Sequence, residues 1–431
     1  MLQTNHSINE KGHFCVAGFD CVELAGKYGT PLYVMDEDWL RGRMRLYAGA
    51  VRTHMPPGSA VLLASKALSF KGIYRLAREE GLGTDIVSSG ELYTALQAGF
   101  PPERMVFHGS AKTMDDVRFG IDSGVGLFVV DNAEELARIS AHASARGVTQ
   151  RILLRLAPGI DPHTFEAVVT GRVDSKFGAA IETGQALELT RQALHTPAVA
   201  LEGFHCHIGS QIFELSPFTD AADIMLRFMA ELKAQLGYEA AVLDLGGGFG
   251  VRYTASDPVF DCGAAAAALG AHIRARCAAL SLTPPRVLLE PGRSLVAEAG
   301  VTLYTAQSIK IIPGYKSYLA VDGGMTDNPR YALYGSRYTA LIADRAAQPA
   351  DFCCTIAGRC CESGDLIGED MLLPRPAPGD TVAVLVTGAY NYSMASNYNR
   401  VPRPPIVMLR EGQDYLAVRR ESYADLCACD L

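Results

Sequence analysis

The sequence predicts an α/β protein: a (β/α)8 barrel followed by a smaller all-β domain that the N-terminal segment joins. Three observations carry this. Eight short apolar, β-branched runs recur between residues 61 and 290, single amphipathic stretches separate them, and after Gly300 no long helical pattern remains. Strands alternating with single helices imply parallel pairing. Eight such units in roughly 230 residues match the count and size of a closed barrel. The expected boundaries are 36–285 for the barrel and 1–35 with 286–431 for the β domain.

The runs are Val61–Ser65, Asp85–Ser89, Met105–Gly109, Leu127–Val130, Arg151–Leu156, Gly203–Ile208, Val242–Leu245 and Val287–Glu290. After the first comes KGIYRLAREEG, with Ile73, Leu76 and Ala77 on one helical face and Gly81 as a stop. GELYTALQAG follows the second run in the same way, closed by Gly99. From Asn132, NAEELARISAHASARG offers an N-cap, early acids and a late Arg-Gly. Beyond Gly300, Val301–Ile312, Ser317–Asp322, Asp351–Gly358 and Thr381–Thr387 read as strands between Pro/Gly-rich turns such as PRPAPGD. Strand-like pieces in Phe14–Val34 are expected to join them.

Composition narrows the function. The chain has 431 residues, 48% of them hydrophobic and 20% charged, which excludes wholesale disorder. A net charge of −8 argues against a sequence-independent nucleic-acid partner. No apolar run approaches the ~18–20 residues of a membrane helix, and Met1–Phe14 lacks the apolar core of a secretory signal. The expectation is a soluble cytoplasmic protein with no membrane partner. Its eleven cysteines include no Cys-x-x-Cys pair, so neither a disulfide framework nor a zinc site is expected. Most read as small buried side chains.

Catalytic residues of such a barrel stand at the carboxyl ends of the strands. Those ends read Lys66, Asp85, His108, Asp131, Arg155, His207, Gly246–Gly248 and Glu290. Lys66 is one of only nine lysines against thirty arginines, and it directly follows VLLAS. A desolvated lysine there has a lowered pKa and a free amine for imine chemistry; a lysine that snorkels to solvent fits the same position. DLGGGFG (244–250) sets three glycines in a row, as an anion nest or as a closely packed turn. It is neither a dinucleotide fingerprint nor a Walker loop. A phosphate site without a nucleotide motif points to a small phosphorylated cofactor such as pyridoxal phosphate. His205 and His207, placed on one strand face by alternation, can be metal ligands, but no third ligand has a clear spacing. A flat imidazole stacked on a cofactor ring suits the pattern better, with Glu290 paired to a pyridine nitrogen. In the β domain, Arg330 and Tyr334 can take a carboxylate, Glu362 an ammonium, and Cys361 can donate a proton. Each also fits an ordinary solvated loop.

The stretches ASKALSFKGIYRLAREEGLGTDIVSSGEL, TGRVDSKFG, HCHIGSQ, DLGGGFG, EPGRS, VDGGMTDNPRYALYGSRY, AGRCCESGD and GAYNYSMASNYNR closely resemble those of diaminopimelate decarboxylases. These are fold-type III pyridoxal-phosphate enzymes, with an alanine-racemase-like TIM barrel. The matches run in family order from about Pro31 to Pro405. The resemblance implies a pyridoxal-phosphate-binding barrel, a β domain carrying substrate and interface loops, and a homodimer with shared active sites. It implies decarboxylation of meso-2,6-diaminopimelate to L-lysine and carbon dioxide, the last step of lysine biosynthesis. By motif, Lys66 would carry the cofactor as an imine, His207 would stack on its ring, and Ser210, Gly247, Gly248 and the turn Glu290, Pro291, Gly292, Arg293 would hold its phosphate and ring nitrogen. Arg293, Arg330 and Tyr334 would grip the distal end of the substrate, Glu362 its distal ammonium, and Tyr390 both cofactor and substrate. Cys361, from the neighbouring subunit, would return the proton. No metal is implied.

Ser110 and Ala111 stand where the family usually shows two asparagines, and Phe165 where a second histidine often follows. Two other readings remain at this stage. A relative acting on D-lysine, D-ornithine or a siderophore precursor would lose Arg330 or Glu362, and a non-catalytic regulatory relative would lose Lys66 or Cys361. All four residues are present.

Overall fold

The computed structural model describes residues 3–160 and 175–431. Phe165 and Thr170–Asp174 of the TGRVDSKFG stretch lie outside these. The chain forms two compact units, Arg43–Gly250 with Val259–Gly292, and Met1–Gly42 with Val251–Pro258 and Arg293–Leu431.

The first unit is the eight-stranded parallel barrel. Its strands are β1 (Ala60–Ala64), β2 (Gly83–Ile86), β3 (Met105–Phe107), β4 (Leu127–Val130), β5 (Gln150–Ala157), β6 (Val199–His205), β7 (Val242–Asp244) and β8 (Arg286–Leu289). Each pairs in parallel with the next, and Leu288 and Leu289 of β8 pair with Ala60 and Val61 of β1, which closes the ring. Leu62, Val106, Leu127, Val129, Leu153, Val242 and Leu288 pack together as its apolar core. The helix between β4 and β5, Ala133–Arg146, begins where the Asn132 side chain accepts the Glu135 N–H and ends at Gly147.

Two strands differ from expectation. β2 spans Gly83–Ile86 rather than 85–89, because the Ser88 side chain accepts the Glu91 N–H and starts a helix at Ser89. Asp85 is therefore inside a strand, not beyond its end. β6 ends at His205 instead of running to Ile208: the Cys206 N–H donates the last ladder bond, to the Asp244 carbonyl, and the neighbouring strand itself ends at Asp244.

The segment after β3, which contains Ser110 and Ala111, is pinned by Lys112. Its ammonium is fully buried and donates to the carbonyls of Gly109 (2.9 Å) and Val129 (2.7 Å) and to Glu135 (2.6 Å). Removing one partner of a buried pair leaves the other charge uncompensated. Lys112→Met is expected to destabilise the protein by about 3–5 kcal/mol, and replacing Glu135 as well to recover most of that. Chemical denaturation of the two variants checks it; a single-variant loss below about 1 kcal/mol would refute the argument.

The second unit is mostly β. Its spine is the 13-residue strand Gly300–Ile312, which pairs antiparallel with Lys316–Val321, Thr381–Leu385 and the N-terminal strand Leu32–Asp36. Phe352–Ala357 and Leu366–Leu373 extend one side, and Ile406–Arg410 with Gln413–Val418 the other. The unit is not all β. Between Phe14 and Val34 a helix, Cys21–Tyr28, replaces part of the expected strand texture, capped by Asp20 accepting the N–H groups of Val22 and Glu23. Six of the eleven cysteines are buried, and all are free. Among the described residues no helix is long and apolar enough to cross a membrane.

Candidate active site

Side chains alternate in and out along a strand, so the residue two beyond a core position faces the same way. Two residues past the core positions Val106, Val129, Leu153, Val242 and Leu288 stand His108, Asp131, Arg155, Asp244 and Glu290. The apolar core thus gives way to a charged, buried layer at the carboxyl ends of the strands, where barrel chemistry sits.

Glu290 is its centre. One carboxylate oxygen lies 2.7 Å from His108 Nε2 and the other 3.5 Å from His205 Nε2. Burial pushes the Glu290 carboxyl up, but the facing histidines outweigh it and hold the group well below the usual carboxylate range. Burial, then the Glu290 charge, drives Asp244 well above that range, and burial lowers His205 to about 3. Glu290 is therefore ionised and His205 neutral, while the charged form of Asp244 is disfavoured. His108, His205, Asp244 and Glu290 have ligand atoms within 4.8 Å of one another, and the 2.7 Å contact links His108 and Glu290 directly.

Lys66 follows β1 in a single 3-10 turn, Ser65–Ala67. The expected burial is not found: its side chain is 48% exposed. The strand ends one residue early, and the lysine projects from the turn, not from the ladder. Its ammonium lies 3.6 Å from Asp85 Oδ2, and the other Asp85 oxygen accepts the Ser65 N–H at 2.8 Å. Burial raises the Asp85 carboxyl and Lys66 opposes that.

His205 and His207 do not act as one pair. His205 faces Glu290, whereas His207 lies beyond the strand, where alternation no longer applies, and its Nδ1 accepts the Gly247 N–H at 3.2 Å. Burial lowers the His207 pKa well below its ordinary value, so the ring is neutral with its proton on Nε2. The loops meet here. A Cβ on Gly247 would overlap the Glu290 carbonyl, and the Ala64 N–H donates to the Pro291 carbonyl at 3.2 Å. The glycine run is thus at least a device for close packing. Gly247→Ala is expected to cost about 1–3 kcal/mol through forced backbone displacement, visible as a lowered thermal midpoint; an unchanged midpoint would show that the loop yields freely.

In the second unit, Arg293, Arg330, Tyr334 and Tyr390 form one group. The guanidinium carbons of Arg293 and Arg330 stand 4.9 Å and 5.0 Å from the Tyr390 ring centroid, and that of Arg330 lies 5.3 Å from the Tyr334 ring. Both arginines are only 6% exposed. Arg293 donates to the Tyr253 hydroxyl at 2.8 Å, while Arg330 Nε has no acceptor among the described residues. Two buried cations around one ring are an arrangement that can take an anion. Cys361 and Glu362 lie on a separate exposed turn.

A sequence profile for the pyridoxal-dependent decarboxylase, pyridoxal binding domain, matches residues 42–297. The chain is 45% identical over 414 residues to a diaminopimelate decarboxylase of Bacillus methanolicus, covering 96% of each. The chain belongs to the diaminopimelate decarboxylase family. A second such relative, from Bacillus subtilis, is 43% identical over 98% of this chain and 96% of its own. The crystal structure of diaminopimelate decarboxylase from M. jannaschii in complex with L-lysine superposes with a TM-score of 0.93 at 35% identity, covering 99% and 98% of the two chains.

The cofactor of a pyridoxal-dependent decarboxylase is pyridoxal phosphate, and the barrel residues fit it. An accessible amine is available to its aldehyde at Lys66, an ionised carboxylate to its ring nitrogen at Glu290, and a neutral imidazole to its ring face at His207. Asp85 Oδ2, beside Lys66, is buried without a hydrogen-bond partner among the described residues. The sequence places Asp85 and His108 among the strand-end candidates without a specific role; it does not single out Asp244, although that residue stands two residues beyond the core position Val242.

Proposed function

We propose that this chain decarboxylates meso-2,6-diaminopimelate to L-lysine and carbon dioxide, with pyridoxal phosphate held by the barrel. The observation that carries the substrate choice is the pair of buried guanidiniums around Tyr390. A substrate that keeps one carboxylate after losing the other needs such a receptor, and a buried cation left unpaired rejects an analogue without that carboxylate far more strongly than an apolar pocket could.

When bound, pyridoxal phosphate supplies an aldehyde for imine formation and a ring that withdraws electrons from the substrate α-carbon. Lys66 would anchor it through the amine that Asp85 faces. Glu290, kept ionised by its histidines, would hold a proton on the ring nitrogen and so sustain the electron demand. His207 would lie against the ring, and Ser210, Gly247, Gly248, Pro291 and Gly292 would hold the phosphate. Arg293, Arg330 and Tyr334 would bind the distal carboxylate, Glu362 the distal ammonium, and Tyr390 would order both ends. Cys361 would deliver the proton to the α-carbon once carbon dioxide has left.

In this reading the enzyme is a homodimer in which Cys361 and Glu362 of one chain serve the site of the other, and it works in the cytoplasm on a free small molecule. The direct test incubates the protein and pyridoxal phosphate with meso-diaminopimelate and follows lysine and carbon dioxide by mass spectrometry. Equal yields of the two are expected. A lysine-linked cofactor with no lysine released would keep the cofactor assignment and refute the substrate.

A further inference from the structure

The segment between strands Phe352–Ala357 and Leu366–Leu373 carries Cys361 and Glu362 on a turn whose residues 361–364 are all exposed. Such a turn buries nothing that would fix its shape. What holds it is polar. Asp365 is 2% exposed; one of its carboxylate oxygens accepts the Met325 N–H at 2.6 Å and the other the Cys360 N–H at 2.7 Å. Its carbonyl accepts the Gly358 N–H at 2.8 Å, and the Arg359 N–H reaches the Gly323 carbonyl at 3.0 Å. A Cβ on Gly324 or Gly358 would overlap the Asp365 carboxylate, so the group is clasped between two backbones. From a third segment, Asn399 Oδ1 accepts the Cys361 N–H at 2.8 Å, and the Ser396 N–H donates to the Thr326 carbonyl at 2.8 Å.

We propose that Asp365 and Asn399 are positioning residues that fix the consecutive amides of Cys360 and Cys361, so that the turn presents the Cys361 thiol and the Glu362 carboxylate in a single arrangement. This rests on the reading of Cys361 as proton donor and Glu362 as ammonium receptor. The stretches VDGGMTDNPRYALYGSRY, AGRCCESGD and GAYNYSMASNYNR are thereby one device: Asp365 ties the segment bearing Arg330 to the Cys361 turn, and Asn399 ties that turn to the segment bearing Tyr390. A carboxylate accepting two backbone N–H groups makes charge-assisted bonds to both. Proton delivery tolerates little displacement of the donor, and a shift of about 1 Å costs on the order of 10²-fold in rate.

Asp365→Asn keeps the size of the side chain but leaves one acceptor oxygen for two amides. Asn399→Ala removes the other anchor at an exposed site, with a small added backbone cost because Asn399 stands at a positive φ of 51°. Both are expected to lower kcat by about 10–10²-fold with the cofactor absorbance unchanged. In a Cys361→Ala background the same substitutions should lower kcat clearly less than in the wild-type chain, because the part that acts through the Cys361 thiol is already lost. Losses that add in full, or an unchanged kcat in both single variants, overturn the proposal. Iodoacetamide labelling of Cys361 and hydrogen exchange at the Cys360 and Cys361 amides read the clasp without turnover. Both should rise in the two variants, and neither rising refutes it. If the wild-type chain releases no lysine from meso-diaminopimelate, the substrate reading fails, and these two measurements still decide the clasp.

Discussion

Lys66→Ala is expected to abolish both the covalent attachment of pyridoxal phosphate and turnover, while the protein stays folded. The side chain is 48% exposed and fills no part of the core, so its truncation removes little packing. What it removes is the amine proposed to form the imine. The structural cost falls on Asp85, a fully buried carboxylate that loses the cation 3.6 Å away. That shift disfavours its charged form and leaves the ladder between β1 and β2 in place. Absorbance of the linked cofactor, lysine production and far-ultraviolet circular dichroism together test this. Normal turnover in a folded variant would remove Lys66 from the reaction.

Cys361→Ala is the second large effect. The residue is exposed, and its backbone N–H keeps the bond to Asn399 whatever the side chain, so the fold and the linked cofactor should survive. Loss of a positioned proton donor lowers kcat by about 10²–10⁴-fold. Unchanged rates would assign proton delivery to another group. The same variant tests the shared-site homodimer. Chains carrying only Lys66→Ala mixed with chains carrying only Cys361→Ala should regain up to about a quarter of wild-type activity, since half of randomly paired symmetric dimers hold one intact site each. No recovery in confirmed mixed dimers would place each site within one chain.

The parts legible beforehand share a physical character: they are local. The helix Ala133–Arg146 could be read from its cap and its terminal glycine, and the strand cores from their apolar runs, because these depend on neighbours a few residues away. Lys66, Glu290 and Arg330 could be singled out because a charge at the end of an apolar run, or inside a dense motif, is conspicuous in one dimension. Where the reading slipped, partners outside the apolar run settled the backbone: the Ser88 side chain took β2 into a helix early, and β6 ran out of ladder at Asp244 before His207.

Tertiary structure alone decided how those residues behave. Whether Lys66 is buried or exposed depends on a turn after β1. Whether Glu290 is ionised depends on His108 and His205, residues far away in sequence that only barrel closure brings to it. Electrostatics acts through space, so the protonation state of Asp244 or Glu290 has no trace in the residues beside it. The clasp at Asp365 is of the same kind. Its motif was visible, but its partners, the amides of Met325 and Cys360, meet one carboxylate only once the strands between them have paired.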